Sequence, residues 1–211
     1  CRAVLGEGTN KTGGNYRVRN LFDLNGKVAI VTGGAGGIGG GIVNVLADAG
    51  AHVVIADRNE EAAKAKAAAV NEAGGKGSAI YLDQGDEASV IRTCAELIAT
   101  HGTPWALVNN AATQDRQLLL EGTAEEWDRI QAINVRGPFL LIREIGRAMA
   151  ANGQGGRIVN IASIAAINPG IMGLGPYAAS KAALVGLSRN AAFELAQYKI
   201  TVNTVLPHAV A

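Results

Sequence analysis

A tyrosine and a lysine four residues apart, Tyr177 and Lys181, open an alanine-rich stretch shortly after Ser163, which itself ends an apolar run. In a helix that spacing puts both side chains on one face a turn apart, so a phenol and an ammonium share one space. A phenol near its ordinary pKa of about 10 exchanges protons poorly at neutral pH, and a neighbouring cation favours the phenolate and moves it toward the working range. The pair suits proton transfer to or from an oxygen atom. Taken alone, the same spacing also describes an ordinary surface helix, so the weight falls on what lies upstream.

Upstream, Thr32-Gly33-Gly34-Ala35-Gly36-Gly37-Ile38-Gly39 separates a short β-rich run from a segment with helical spacing. Glycines there let the backbone turn sharply and approach a diphosphate, whose charge the amides and dipole of the helix N-terminus stabilise. Asp57 closes the next apolar run at about the 20-residue separation expected of a carboxylate that accepts hydrogen bonds from an adenosine ribose. A carboxylate at that place repels the 2′-phosphate of NADP, and Gly36 puts no cation in the turn, so NAD is favoured; Arg58 next door is the residue that argues for NADP. The simpler alternatives are a tight turn without a ligand for the glycines and a helix cap for Asp57.

Holding these residues together takes a regular frame, and the chain supplies one. Apolar runs at 27–32, 51–56, 77–82, 105–109, 157–161 and 200–205 alternate with helical patterns at 38–49, 60–73, 86–100, 124–149 and 177–197, the fourth expected to bend near Gly137-Pro138. Short strands alternating with helices mean crossover connections, a parallel sheet and helices on both faces, an α/β doubly wound, Rossmann-like arrangement with ligands beyond the carboxyl ends of the strands. Residues 1–22, rich in Gly, Asn, Thr and Arg and without periodicity, read as a flexible extension, and residues 23–211 as one domain.

Composition narrows the function. With 211 residues, 48% hydrophobic, and a formal net charge of +1, the chain has the makeup of a globular domain with a substantial core. Balanced charge and few aromatics signal neither a phosphate-tracking patch nor a base-stacking platform, so nucleic acid is not an expected partner. No apolar run approaches the roughly 20 residues of a spanning helix, so no membrane is expected either. Two cysteines, Cys1 and Cys94, suggest neither a disulfide framework nor a metal cluster and fit a reducing, cytoplasmic compartment.

The motifs and their order resemble the short-chain dehydrogenase/reductase family over about residues 24–207. By that resemblance Thr32–Gly39, including Gly33, Gly36, Gly37, Ile38 and Gly39, is the cofactor loop, and Asp83 and Gln84 are the adenine-contacting position after the third strand. Asn109-Asn110-Ala111-Ala112 matches a motif that normally ends in glycine; Asn110 would line the cofactor site and Asn109 would brace the sheet. Asn134 would help hold a water in a proton relay, Ser163 would hydrogen-bond the substrate oxygen, Tyr177 would exchange the proton, and Lys181 would bind the nicotinamide ribose and lower the tyrosine pKa. Pro207 belongs to the cofactor site, and His208 stands where the family has glycine. The resemblance implies an NAD-dependent dehydrogenase or carbonyl reductase for a small or medium secondary alcohol or ketone, assembled as a homodimer or homotetramer. An NADPH-linked oxoacyl reductase is the rival. Relatives continue past the position of Ala211 with a substrate-covering loop and a final strand, so a cofactor-binding protein without turnover is the third expectation.

Overall fold

The computed structural model describes residues 22–168 and 171–208. The expected extension over 1–22 therefore falls, except for Phe22, outside the described residues. Six parallel strands form one sheet in the order β3-β2-β1-β4-β5-β6: β1 (Val28–Thr32), β2 (His52–Asp57), β3 (Lys76–Tyr81), β4 (Ala106–Asn109), β5 (Gly156–Ile161) and β6 (Ile200–Val205). Between them run α1 (Gly37–Asp48), α2 (Glu60–Glu72), α3 (Glu87–His101), α4 (Ala124–Gln131), α5 (Gly137–Asn152) and α6 (Gly175–Leu195). The expected α/β doubly wound parallel sheet is the observed one.

Strand alternation sorts the core into two layers, because successive side chains point to opposite faces. Ile30, Val54, Leu107 and Ile158 face one way, against Val90, Cys94 and Leu97 of α3, Leu141, Ile145 and Met149 of α5, and Ala191 of α6. Ala29, Val31, Val53, Ile55 and Val108 face the other way, against Val43 of α1 and Ala63, Ala67 and Val70 of α2. Both faces of β1 and β2 are thus covered, as their unbroken apolar runs require. On the second face β6 stays open, with Thr201, Asn203 and Val205 exposed.

Strand order reverses between β1, which pairs with β2 on one side, and β4 on the other. That reversal opens a crevice at the carboxyl ends of the strands, where the chemistry-bearing residues gather. Helix starts are marked by side-chain caps: Asn59 Oδ1 accepts from Ala62 N–H (3.0 Å), Asp86 from Ala88 and Ser89 N–H, and Thr123 Oγ1 from Glu126 N–H (3.2 Å). The start of α1 differs, for Gly36 offers no side chain and no acid stands in the first turn.

One element shows a detail beyond its sequence expectation. Residues 124–149 are helical throughout, and the expected irregularity near Gly137-Pro138 takes the form of a π-helical turn over Ala132–Arg136 that joins α4 to α5. The cause is Pro138, which has no N–H for the preceding turn. Among the described residues no helix is long and apolar enough to cross a membrane.

Candidate active site

The glycine bend is held from three sides. Thr32, fully buried at the end of β1, accepts through Oγ1 from the N–H groups of Asn110 (3.1 Å) and Ala111 (3.0 Å). Asn110 returns the contact, its Nδ2 donating to the carbonyls of Thr32 (2.9 Å) and Gly33 (3.1 Å). Asp57 Oδ2 accepts from Ala35 N–H (3.3 Å) and its Oδ1 from Asn59 N–H (3.0 Å). The cap of α2 is Asn59, so Asp57 is free of the capping role and braces the bend instead. At Gly39 a Cβ would lie 2.1 Å from the Gly33 carbonyl oxygen and 2.5 Å from Asn110 Nδ2, so only glycine lets α1 approach so closely.

Beside the bend lies a cleft of about 430 Å³ bordered by Gly33, Ile38, Asp57, Asp83, Asn110 and Ile133. The expected nucleotide-side residues Asp57, Asp83 and Asn110 therefore meet in one space. Asp83 Oδ1 accepts from Gly85 N–H (2.9 Å), which fixes the turn after β3. Gln84 also borders the cleft, but its side chain turns inward: it is 5% exposed, and Nε2 donates to the carbonyls of Ala111 (3.0 Å) and Ile133 (2.8 Å). A Cβ on Gly137 would stand 2.4 Å from Gln84 Cγ, so this inward packing depends on the glycine that starts α5. Its amide acts as a brace between the β4 loop and the π turn.

Tyr177 and Ser163 line a second and larger cleft of about 1590 Å³, which also includes Gly37 and Ile38 from the bend and Pro207 beyond β6. Ile38 borders both clefts, so they meet at the start of α1. Ser163 Oγ accepts from Ala165 N–H (3.1 Å) and caps a short turn over 164–166, which leaves its O–H available to donate. Ile164 N–H donates to the Pro207 carbonyl (2.9 Å), tying the two loops together.

Pro176 in the first turn of α6 fixes the direction in which Tyr177 enters. Lys181 lies one turn on, with Nζ 5.7 Å from the centre of the Tyr177 ring. It is 3% exposed, and Nζ donates to the Ile161 carbonyl at the end of β5 (2.8 Å). Burial lowers its pKa from 10.5 to about 8, because the charged form is deprived of water.

Asn134 sits in the π turn, 1% exposed. Its Oδ1 accepts from Thr113 N–H (2.8 Å), and Nδ2 donates to the Thr113 carbonyl (2.8 Å) and Ser180 Oγ (3.0 Å), while Ser180 Oγ donates to the Tyr177 carbonyl (2.6 Å). Both side-chain donors are thereby engaged with protein. In an unbroken α-helix the N–H of residue 138 would serve the Asn134 carbonyl, and Pro138 has none. Asn109 does brace the sheet: Nδ2 donates to Asn160 Oδ1 (2.8 Å), and Asn160 Nδ2 to Ser188 Oγ on α6 (2.7 Å).

Three residues went unnoticed in the sequence, and Thr32 was placed in the cofactor loop without its bracing role. Thr113 and Ser180 carry no motif of their own, and Arg116 was one charge in a loop. For Ser180 a signal existed, namely a small hydroxyl beside Lys181 on a helix otherwise rich in alanine.

The residues fit a dinucleotide. A Cβ at Gly36 or Gly37 would meet nothing within 4 Å, so the bend faces open space at the uncapped start of α1, where amides attract an anionic diphosphate. Among the described residues no group of three His, Cys, Asp or Glu could hold a metal ion.

Comparison with known proteins agrees with this geometry. Residues 27–211 match the family model for short chain dehydrogenases. The chain is 43% identical over 187 residues to sorbitol dehydrogenase of Cereibacter sphaeroides, covering 89% of this chain and 72% of that protein. It is 35% identical over 187 residues to a 3-oxoacyl-acyl-carrier-protein reductase of Rickettsia conorii, covering 89% and 74%. A crystal structure from Beutenbergia cavernae, described as an NAD(P)-dependent gluconate 5-dehydrogenase with NADP at low occupancy, superposes with a TM-score of 0.85 at 37% identity, over 90% of this chain and 75% of that one. A glycine bend under a buried lysine and a tyrosine, on this sheet and with these relatives, places the chain in the short-chain dehydrogenase family of NAD(P)-dependent oxidoreductases.

Proposed function

We propose that this protein transfers a hydride between NAD and a small or medium secondary alcohol or ketone, with Tyr177 as acid and base. One juxtaposition carries the reading: Lys181 Nζ lies 5.7 Å from the Tyr177 ring, behind a cleft that Tyr177 and Ser163 share with the glycine bend. Gly36, Gly37 and Ile38 would hold the diphosphate of the dinucleotide, Asp57 its adenosine ribose, and Lys181 and Pro207 its nicotinamide half. When bound, the dinucleotide supplies the hydride acceptor or donor.

The chain's own residues handle the proton. Ser163 O–H donates to the substrate oxygen and orients it toward the phenol. In oxidation the Tyr177 oxygen removes the hydroxyl proton; in reduction it returns one to the carbonyl oxygen. The Lys181 ammonium, fixed by Ile161, stabilises negative charge as it develops on the phenol, and Asn134 holds the floor of the site by joining Thr113 to Ser180.

Asp57 supports NAD through its charge. Arg58 borders the same cleft and supports the rival, an NADPH-linked reductase. Competitive titration with NAD and NADP, followed by a panel of secondary alcohols read at the absorbance of reduced nicotinamide, separates them. Tyr177→Phe is expected to lower turnover by roughly a hundredfold or more, and a variant keeping over about a tenth of wild-type turnover would remove Tyr177 from the proposed role. Sorbitol and gluconate, named for the relatives above, are the first two compounds of that panel. A homodimer or homotetramer is also proposed, with α5 and α6 presenting a groove of about 360 Å³ between Phe139, Leu187 and Leu195. Sedimentation at several concentrations tests it. The buried, unpaired Cys94 suits a reducing, cytoplasmic setting.

A further inference from the structure

The substrate-side cleft has a one-sided charge. Its border includes one permanent cation, Arg116, and the titratable His208, but no Asp or Glu. The other polar side chains along it are neutral: Gln114, Asn168, Ser163 and Tyr177. The guanidinium of Arg116 makes no ion pair and no side-chain hydrogen bond among the described residues, where Arg129 pairs with Glu126 and Arg143 with Glu144. Its neighbour Asp115 makes no ion pair with it. One Asp115 oxygen accepts from Arg116 backbone N–H (2.7 Å) and the other from Gln117 Nε2 (3.1 Å).

The position of Arg116 argues for substrate over cofactor. Gln117 N–H donates to the Gly173 carbonyl (3.1 Å), and a Cβ on Gly173 would lie 3.5 Å from the Arg116 carbonyl carbon, so this loop packs against Gly173. The neighbouring Ile171, Leu174 and Gly175 border the larger cleft and not the nucleotide-side space, whose border does not include Arg116 either. A planar guanidinium with open donors on an otherwise apolar and amide-bearing wall matches a single carboxylate by a two-point contact; a phosphate dianion would call for more positive charge than one arginine supplies.

We infer that the substrate is an anionic secondary alcohol, a hydroxy carboxylic acid whose carboxylate is held by Arg116 while its hydroxyl meets Ser163 and Tyr177. The inference rests on the oxidoreductase reading above and specifies its substrate. Arg116 is then a specificity-determining residue.

Gluconate and sorbitol make a matched test, six-carbon polyols that differ in a terminal carboxylate. The wild-type protein with NAD should show a higher kcat/KM for gluconate, through KM, and raising the salt should erode that advantage. Arg116→Gln should lower the gluconate-to-sorbitol ratio by about tenfold, and Arg116→Lys should recover part of it. A ratio unchanged in Arg116→Gln, or a loss of NAD affinity equal to the loss in kcat/KM, overturns the inference while the oxidoreductase reading stands. Should neither compound be turned over, calorimetric titration of each into the NAD-loaded protein gives the same ratio as affinities, and equal affinities overturn it. Failure to bind either dinucleotide would overturn the underlying reading itself. A thermal melt of each variant checks folding.

Discussion

Around the smaller cleft, most polar side chains are fastened to backbone: Thr32, Asp57, Asp83, Gln84 and Asn110 each take at least one such hydrogen bond, and Arg58 is an exception among the described residues. Around the larger cleft, Gln114, Arg116 and Asn168 make no side-chain hydrogen bond among the described residues, and apolar side chains stand open, with Ile171 57% and Met172 81% exposed. The first space has one shape because its walls determine one another. The second is bounded by loops that can change without disturbing the sheet. A dinucleotide of constant form suits the first, and alcohols of varied form suit the second.

Altering Gly39 should break the first cleft most severely. Gly39→Ala drives a methyl into the Gly33 carbonyl oxygen at 2.1 Å, against backbone that cannot yield. We expect loss of measurable dinucleotide binding and destabilisation by about 3 kcal/mol or more, read by fluorescence titration and urea unfolding. Near-normal affinity in this variant would show that the bend is looser than its hydrogen bonds imply.

Lys181 sharpens the comparison at an intermediate scale, for it is a buried charge one helical turn behind Tyr177, which borders the larger cleft. Its pKa is lowered in the folded protein to about 8, against 10.5 unfolded. Between those values the unfolded chain binds a proton that the folded chain does not, so this group adds stability as pH rises through the window, and below about 8 the folded state carries the full desolvation penalty. Lys181→Met should therefore be more stable relative to wild type at pH 7 than at pH 10.5, the difference changing by up to about 3 kcal/mol. A pH-independent difference would mean that the ammonium is better solvated than its burial suggests. Leu120, 99% exposed and on the border of neither cleft, should matter least: Leu120→Ser should shift stability by no more than about 0.5 kcal/mol in the same unfolding assay.

How much of this was readable in advance follows the same division. Regular alternation made the sheet and nearly all its helices legible, since period-two and period-3.6 patterns are properties of consecutive residues. The glycine bend, Asp57, Tyr177 and Lys181 could be singled out from residue type and spacing, and Ser163 from the family resemblance. What sequence did not disclose was direction. Gln84 faces inward because Gly137, more than fifty residues later, leaves room for it, and Asn134 uses its amide on Thr113 and Ser180 because Pro138 distorts the helix. Arg116 acquires meaning only when a distant loop, through Gly173, sets it on the border of the cleft that Tyr177 also lines. Each of these depends on a contact between separated segments, which no local pattern encodes.

The π turn at 132–136 has one more effect. Every residue advances a helix by about 100°, so the surplus residue there offsets α5 from the line of α4 by about that angle. Before the offset the rod serves the rim, with Arg129 Nη1 on Thr113 Oγ1 (3.0 Å) and Gln131 Nε2 on the Pro176 carbonyl (3.2 Å). After it, Leu141, Ile145 and Met149 key into the sheet. Deleting a single amino acid from this turn would remove the offset and swing one of these two surfaces away from its seat, so the length of this helix, as much as its composition, sets the phase between scaffold and rim.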